Sequence, residues 1–291
     1  MDTETTASFD RIAVLAHPLI ENSLDQANKV AVLLNERGVQ ADPGYLNDQD
    51  FRDRLTDGEF TLVVTLGGDG TVLRAGHLCA PVGVPILPIN MGSFGFLIEV
   101  SLQTWPAAMD RLLKGDFWLE ERMMLRTNLW RGEECLESWD VLNEAVIARG
   151  STLRPVHLSA SMDGQAVTTY VADALIVATP TGSTAYALAA GGPIMPPTLR
   201  NILLLPVAPH LSIDRAIILA QGSKVIVEVL TDHDTVVSPD GQASVPLIQG
   251  DKVEVYASEF STTLVRFQEG GYFYKNLVSL MDQNPSVGGK R

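Results

Sequence analysis

Phe60-Thr61-Leu62-Val63-Val64-Thr65-Leu66 runs directly into Gly67-Gly68-Asp69-Gly70-Thr71, and this junction decides how the chain is read. The first stretch is apolar and β-branched, which suits a strand covered on both faces. The glycines let the backbone turn tightly, and Thr71 to Cys79 has the composition of a following helix. Upstream, Arg11 to Ala16 is a second strand candidate. From Asn22, the residues Leu24, Ala27, Val30, Ala31 and Leu34 recur at helical spacing until Gly38, a plausible stop. Downstream, Val84 to Asn90 reads as a third strand, its prolines tolerable near the ends or at an edge. Strand, helix, strand, helix, strand predicts a mostly parallel sheet with helices on its faces. A further helix is expected from about Thr104, with Pro106 near its first turn and Met109, Leu112 and Leu113 turned inward, ending at Lys114-Gly115.

Past about residue 116 the period changes. Met124 to Arg131, Val141 to Ala148, Val156 to Met162 and Val167 to Val171 follow one another as short strand candidates. Lys224 to Leu230, Thr235 to Val237, Lys252 to Tyr256 and Thr263 to Phe267 come later. Asp163-Gly164 and Asp240-Gly241 sit between such runs as hairpin turns. This grammar predicts a β-sandwich-like antiparallel stack, interrupted by one helical stretch from Ser183 to Ala190. Tyr272 to Met281 is expected as a terminal amphipathic helix, followed by a frayed polar tail from Gln283. The expected division is an α/β N-terminal domain over residues 1–102, rejoined by the C-terminal helix at about 268–291, and a β-rich dinucleotide-binding domain over 103–267.

The 291 residues carry 21 Lys+Arg against 35 Asp+Glu, a net charge of −14, with 46% hydrophobic and 19% charged residues. That balance is globular and argues against wholesale disorder. The acidity argues against a nucleic-acid-coating protein, whose footprint is basic. No stretch approaches the ~18 to 20 apolar residues that span a bilayer. The opening, MDTETTASFD, is acidic where a signal peptide is basic and then apolar. Cys79 and Cys135 have neither a disulfide framework nor metal-ligand spacing, so packed, reduced thiols and a cytoplasmic location are expected.

Three clusters can carry chemistry. In Gly67 to Thr71 the glycines bring backbone amides close to a ligand. A helix starting there makes a phosphate seat without lysine. Asp69 among phosphates makes sense as a Mg²⁺ ligand or as a base; the competing reading is a tight turn and nothing more. The second cluster is Ala178-Thr179-Pro180-Thr181-Gly182-Ser183-Thr184-Ala185-Tyr186, rich in hydroxyls at a helix start, with a plain Ser/Thr cap as the competing reading. The third is Asn143-Glu144 inside an otherwise apolar strand, where an amide can pair with an adenine edge and a carboxylate can accept from ribose hydroxyls, with a solvent-facing Glu beside a bulged Asn as the competing reading. Asp173 opens the strand before the threonine-rich loop, which would bring a carboxylate near it. His210 reads as a structural histidine, Asp240 as a turn residue, and Glu121-Arg122 as a salt-bridging or docking pair.

Taken in order, Gly67-Gly68-Asp69-Gly70-Thr71, Asn90-x-Gly92-x-x-Gly95-Phe96-Leu97, Glu121-Arg122, Asn143-Glu144, Thr179 to Tyr186 with Gly191-Gly192-Pro193, Pro209-His210 with Arg215, and Asp240-Gly241-Gln242 make a set. The set resembles the NAD kinases over roughly residues 11 to 281. The glycine-Asp loop alone is shared with diacylglycerol-type lipid kinases and phosphofructokinases; the Asn-Glu pair followed by TPTGSTAY is far more specific. The resemblance implies phosphoryl transfer from ATP, or polyphosphate, to the adenosine 2′-hydroxyl of NAD(H), with Mg²⁺ and a homodimer or homotetramer. It implies a dinucleotide lying between the domains and Asp69 beside that hydroxyl as the catalytic group. Gly67, Gly68, Gly70 and Thr71 would hold the donor phosphates. Asp69, Gly70, Phe96, Asn143, Glu144, Asp173, Thr181, Thr184, Ala185 and Tyr186 would line the NAD site. No metal site is fixed by protein alone, although Asp69 could ligate Mg²⁺. Three positions depart from the family pattern: Phe94 for the usual Leu, Ala174 where Gly is common, and Ala216 where Pro is usual. The alternatives are a diacylglycerol-type lipid kinase and a non-catalytic dinucleotide sensor; this acidic chain offers no basic amphipathic helix for a membrane surface.

Overall fold

The computed structural model describes residues 9–92, 95–210, 213–269, 271–274 and 277. The chain forms two compact units, the described residues of Met1–Glu121 with Thr262–Arg291, and Arg122–Ser261.

The first unit alternates strands and helices. In order come β1 (Arg11–Ala16), α1 (Ser23–Glu36), β2 (Gln40–Tyr45), α2 (Gln49–Thr56), β3 (Leu62–Gly67), α3 (Asp69–Cys79), β4 (Ile86–Asn90), β5 (Val100–Ser101) and α4 (Trp105–Leu113). The sheet order is β2-β1-β3-β4, and every pairing is parallel. The strand β2 and helix α2 are not expected from the sequence, because Pro43 and Gly44 break the apolar run that would reveal the strand. Gly44 is needed there for space, since a Cβ would overlap the Phe51 ring of α2. Pro88 lies inside β4 opposite Thr65 of β3, not near an end or at a sheet edge, and the pairing on the other side of β4, Leu264 with Ile86, is made two residues ahead of it.

Two apolar cores cover the two faces of this sheet. One packs Val30, Ala31 and Leu34 of α1 and Met109 and Leu112 of α4 against Ile12, Val14 and Val64. The other packs Phe51, Leu55, Val72 and Ala75 against Ala13, Leu15 and Val63. The alternation of β1 and β3 side chains between the two is what a strand buried on both faces requires. Helix α4 packs into the core of this unit, and the compact unit runs on to Glu121.

The second unit continues with β6 (Trp118–Arg131), β7 (Glu134–Val141), β8 (Glu144–Arg149), β9 (Val156–Met162), β10 (Gln165–Ala172), β11 (Ala174–Ala178), α5 (Tyr186–Ala189), β12 (Asn201–Val207), β13 (Ile217–Ala220), β14 (Lys224–Val229), β15 (Thr235–Pro239), β16 (Val245–Leu247) and β17 (Lys252–Arg266). The chain crosses between units within β6 and β17. One set of strands runs β13-β12-β11-β8-β15-β16, the other includes β10-β9-β14-β17, and neighbours within each are antiparallel. Leu175 and Val177 of β11 share one core with Val225, Val227 and Val255, as the facing sheets of a sandwich must. Ile176 and Ala178 point the other way, onto Ala187 of α5.

The β9–β10 turn has φ of 51° at Asp163 and 80° at Gly164, the paired positive values that a two-residue hairpin demands. The two strands expected at 252–256 and 263–267 are one, β17, because no Gly or Pro interrupts Ala257 to Thr262. Residues 272–274 and Leu277 are helical; most of the expected terminal helix, its polar tail and Phe94 lie outside the described residues. Cys79 is buried, which pushes its thiol up, whereas Cys135 is exposed rather than packed.

Candidate active site

In the first unit the glycine loop is shorter than expected. β3 ends at Gly67, Gly68 is extended, and α3 begins at Asp69, two residues ahead of the expected helix start. Asp69 therefore lies in the first turn, where the helix dipole favours an anion. Its carboxylate is fixed by the second motif: Phe96 N–H donates to Oδ2 at 2.8 Å and Leu97 N–H to Oδ1 at 3.2 Å. A Cβ at Gly95 would overlap this carboxylate, so glycine is what lets the backbone pass against it. Gly67 plays the same part beneath Thr71, whose side chain would collide with a Cβ there. Thr71 is buried and its amide donates to Gly68 O at 2.8 Å, so it completes the turn rather than facing outward. Gly68 and Gly70 differ: a Cβ on either meets nothing within 4 Å. Their missing side chains serve open space, not packing.

The sheet order also places this loop. The chain leaves β1 toward β2 on one side and returns with β3 on the other, so the carboxyl ends of β1 and β3 flank a topological switch point, where open α/β sheets bind ligands. His17, just past β1, donates its amide to Leu66 O at 3.1 Å, and its ring nitrogen Nε2 lies 3.0 Å from Arg74 Nη1 of α3. Partial burial and the Arg74 charge hold the His17 pKa below its ordinary value. Nothing in the spacing of the sequence singles out this pair.

In the second unit Asn143 and Glu144 are not inside a continuous strand. β7 ends at Val141 and β8 begins at Glu144, and the break has a visible cause. The Asp240 carboxylate accepts from Leu142 N–H at 2.7 Å, Asn143 N–H at 2.8 Å and Glu144 N–H at 2.9 Å, replacing ladder bonds. Asp240 is buried, with φ 49°, and its own amide donates to Glu144 O at 2.8 Å. It is a turn residue that also organises the Asn-Glu segment, a role sequence reasoning missed.

The threonine-rich loop locks onto the same segment. Thr179 N–H donates to Asn143 O at 2.8 Å, and Thr179 Oγ1 donates to Leu142 O while accepting from Gly182 N–H at 3.0 Å. A Cβ at Gly182 would overlap Asn143 O. The hydroxyls are largely spent on structure: Ser183 Oγ donates to Pro180 O at 2.6 Å, Thr184 Oγ1 donates to Thr181 O at 3.0 Å, and Thr181 Oγ1 accepts from buried Arg122 at 3.3 Å. In place of one helix from Ser183 to Ala190 there is a single 3₁₀ turn, Gly182–Thr184, then α5, broken at Ala185. Ala185 is half-buried and Tyr186 exposed.

Glu144 is the unusual group. It is buried, the backbone amide of Tyr186 bonds its carboxylate, and Oε2 has no hydrogen-bond partner among the described residues. Burial first, and the nearby Asp240 charge second, push its pKa up to about 8. A buried carboxyl with one oxygen unanswered is suited to receiving a hydroxyl donor. Asp173 is not part of this cluster within the chain. The antiparallel register sets Ala178 opposite Glu144 and Ala174 opposite Ala148, so Asp173 lies at the other end of β11, where it pairs with Arg149 at 3.1 Å. His210 is exposed, and its hydrogen bond to Val171 O comes from the backbone rather than the ring.

Residues 12–117 match the ATP-NAD kinase N-terminal domain and residues 142–267 the ATP-NAD kinase C-terminal domain. The NAD kinase of Chloroflexus aurantiacus is 39% identical over 272 residues, covering 93% of this chain and 98% of the relative. The chain belongs to the NAD kinase family. An NAD kinase of Heliobacterium modesticaldum is 38% identical over 260 residues, 86% of this chain and 91% of that one. Among solved structures, yeast NADH kinase complexed with NADH superposes with a TM-score of 0.83 at 22% identity, over 98% of this chain and 91% of its own. An NAD kinase from Archaeoglobus fulgidus in complex with ATP gives 0.75 at 24%, over 96% and 100%. These two establish a shared fold. The activity is that of an NAD kinase, and neither the lipid-kinase nor the sensor alternative is favoured. No helix among the described residues is long and apolar enough to cross a membrane.

Proposed function

We propose that this NAD kinase uses Asp69 as the group that orients and deprotonates the adenosine 2′-hydroxyl of NAD, which then attacks the terminal phosphoryl group of ATP. The observation that carries the proposal is the Asp69 carboxylate held by two backbone amides at the mouth of a glycine-lined helix start. A base must be positioned before it can be effective, and the Phe96 and Leu97 amides fix the carboxylate. The O–H bond of the ribose breaks as the new O–P bond forms, and ADP leaves with the electron pair of the old one.

The donor phosphates fit the open space over Gly68 and Gly70, with the N-terminus of α3 and the Arg74 cation supplying positive potential. Two solved relatives, one carrying NADH and one ATP, support the ligand pair. On the acceptor side, Glu144 with its unanswered oxygen suits ribose hydroxyls, and Asn143 suits the adenine edge. Phe96, Thr181, Thr184, Ala185 and Tyr186 are proposed around the same dinucleotide, and Asp173 as a contact outside this cluster.

The described residues hold no group of three or more His, Cys, Asp or Glu that could cage a metal. A Mg²⁺ bound with ATP would be held largely by the nucleotide phosphates, since Mg²⁺ takes only one or two protein carboxylates in such sites. Asp69 is the candidate ligand, and the ion would neutralise charge on the phosphates. Polyphosphate as an alternative donor, a homodimer or homotetramer, and a cytoplasmic location belong to the same proposal.

The test is direct. Purified protein with NAD, ATP and Mg²⁺ yields NADP, followed with an NADP-specific dehydrogenase, and a matrix of NAD or NADH against ATP or polyphosphate ranks donor and acceptor. Absence of product in every cell of that matrix overturns the reading.

A further inference from the structure

Arg266, at the end of β17, is the largest fully buried side chain among the described residues, and nothing in the phosphoryl-transfer scheme uses it. Its Nε donates to Glu120 Oε2 at 2.7 Å, and its Nη1 donates to Leu97 O at 2.8 Å. Tyr272 Oη donates to the same Glu120 oxygen at 3.3 Å, and the Tyr272 ring lies 5.2 Å from the guanidinium. Nearby, Phe267 N–H donates to Glu99 Oε1. Three stretches of chain that are separated in sequence, around residues 97, 120 and 266–272, thus meet at one arginine. All belong to the first unit.

Stability is a poor reason for this cluster. Taking both charges out of water costs about as much as their attraction returns, and an apolar set of equal volume often does as well or better. Arg266 Nη2 has no hydrogen-bond partner among the described residues, which adds to the cost. What an apolar set could not do is hold the Leu97 peptide in place. Leu97 gives its carbonyl to Arg266 and its amide to Asp69, so one residue joins the buried cation to the carboxylate.

We infer that Arg266, braced by Glu120 and Tyr272, is a positioning residue for the phosphoryl transfer: it clamps the Gly95–Leu97 backbone and thereby the orientation of Asp69. The inference rests on the role proposed above for Asp69. It predicts a selective effect on turnover. Arg266→Met should lower kcat by about 30-fold while the KM values for NAD and ATP stay within about threefold, because misplacing a reacting group by around an ångström is expensive in rate. Tyr272→Phe, which removes one 3.3 Å bond and leaves the buried pair in place, is the milder variant and should lower kcat by about threefold. In both, amide exchange at Phe96 and Leu97 should quicken more than exchange in α1, as measured by NMR. Arg266→Lys should recover part of the lost turnover.

Unchanged kcat in folded Arg266→Met or Tyr272→Phe overturns the inference. So does a loss of turnover with no change in Phe96 and Leu97 exchange, which would mark a general structural defect. Should Arg266→Met not fold, Tyr272→Phe alone decides by the same two readings. Failure of the underlying reading looks different: Asp69→Asn would then turn over like the unaltered enzyme.

Discussion

Asp69 and Glu144 are both carboxylates at the start of a regular element, yet their surroundings make them different reagents. Asp69 is half-buried, opens a helix, and has both oxygens bonded by backbone amides. Glu144 opens a strand, is buried, keeps one oxygen without a hydrogen-bond partner among the described residues, and has a pKa pushed up to about 8. Two amides hold the first as a fixed acceptor; burial beside Asp240 makes the second a carboxyl whose charge depends on its company. The lesson is that residue type does not assign a role, whereas solvation and hydrogen-bond supply do.

The largest effect should come from Asp69→Asn, which keeps the shape and removes the base. A loss of roughly 10³-fold in kcat is expected, within the usual range for a general base, with an unchanged circular dichroism spectrum and a melting temperature lowered by about 2–4 °C, since one of the Phe96 and Leu97 amides loses its acceptor. Gly95→Ala should come next. Its methyl would overlap the Asp69 carboxylate, so about a 10²-fold loss of kcat is expected in steady-state assays.

Glu144 should report through pH. Its folded pKa of about 8 stands above the ordinary 4.5, so the ligand-free protein holds a proton that the unfolded chain has lost between those values. The stability it contributes is complete below pH 4.5 and is lost as pH rises through about 8. Glu144→Gln should flatten that fall in thermal melts. If ribose hydroxyls donate to the carboxylate, NAD binding releases the proton, and affinity should tighten by up to roughly tenfold per pH unit below the pKa, a dependence that Glu144→Gln abolishes in calorimetry.

Asp240→Asn should cost about 1–3 kcal/mol in denaturant unfolding, since one of three buried amides loses its acceptor. It should also move the Glu144 transition to lower pH, because a neighbouring negative charge is removed. Gly68→Ala is expected to be mildest for the fold, within about 0.5 kcal/mol, as the methyl meets nothing; a rise in the KM for ATP would show that the space belongs to the donor.

Local pattern was enough for much of the architecture. The periods of Arg11 to Ala16 and Val156 to Met162 reproduce β1 and β9 residue for residue, and the Asp-Gly pair at 163–164 names its own turn. Strand β12 escaped because Ile202 to Leu205 is short and leucine-rich, and an apolar run without alternation or β-branched enrichment does not tell a strand from a buried helix. Asn143-Glu144 looked like strand interior because nothing nearby announces a carboxylate 96 to 98 positions later taking its amides.

By itself, then, the sequence determined the alternation of β1, α1, β3, α3 and β4, the change from parallel α/β to antiparallel β, and the glycine-Asp and threonine-rich motifs, all of which are written in dihedral preference and burial period over a few residues. Tertiary structure alone decided which groups answer one another. Asp69 meets the Phe96 and Leu97 amides, Asp240 meets the Asn-Glu turn, and Arg266 meets Leu97 O and Glu120. Those contacts join residues 27 to 169 positions apart, and a hydrogen bond requires only that two atoms meet in space, a condition no spacing along the chain encodes.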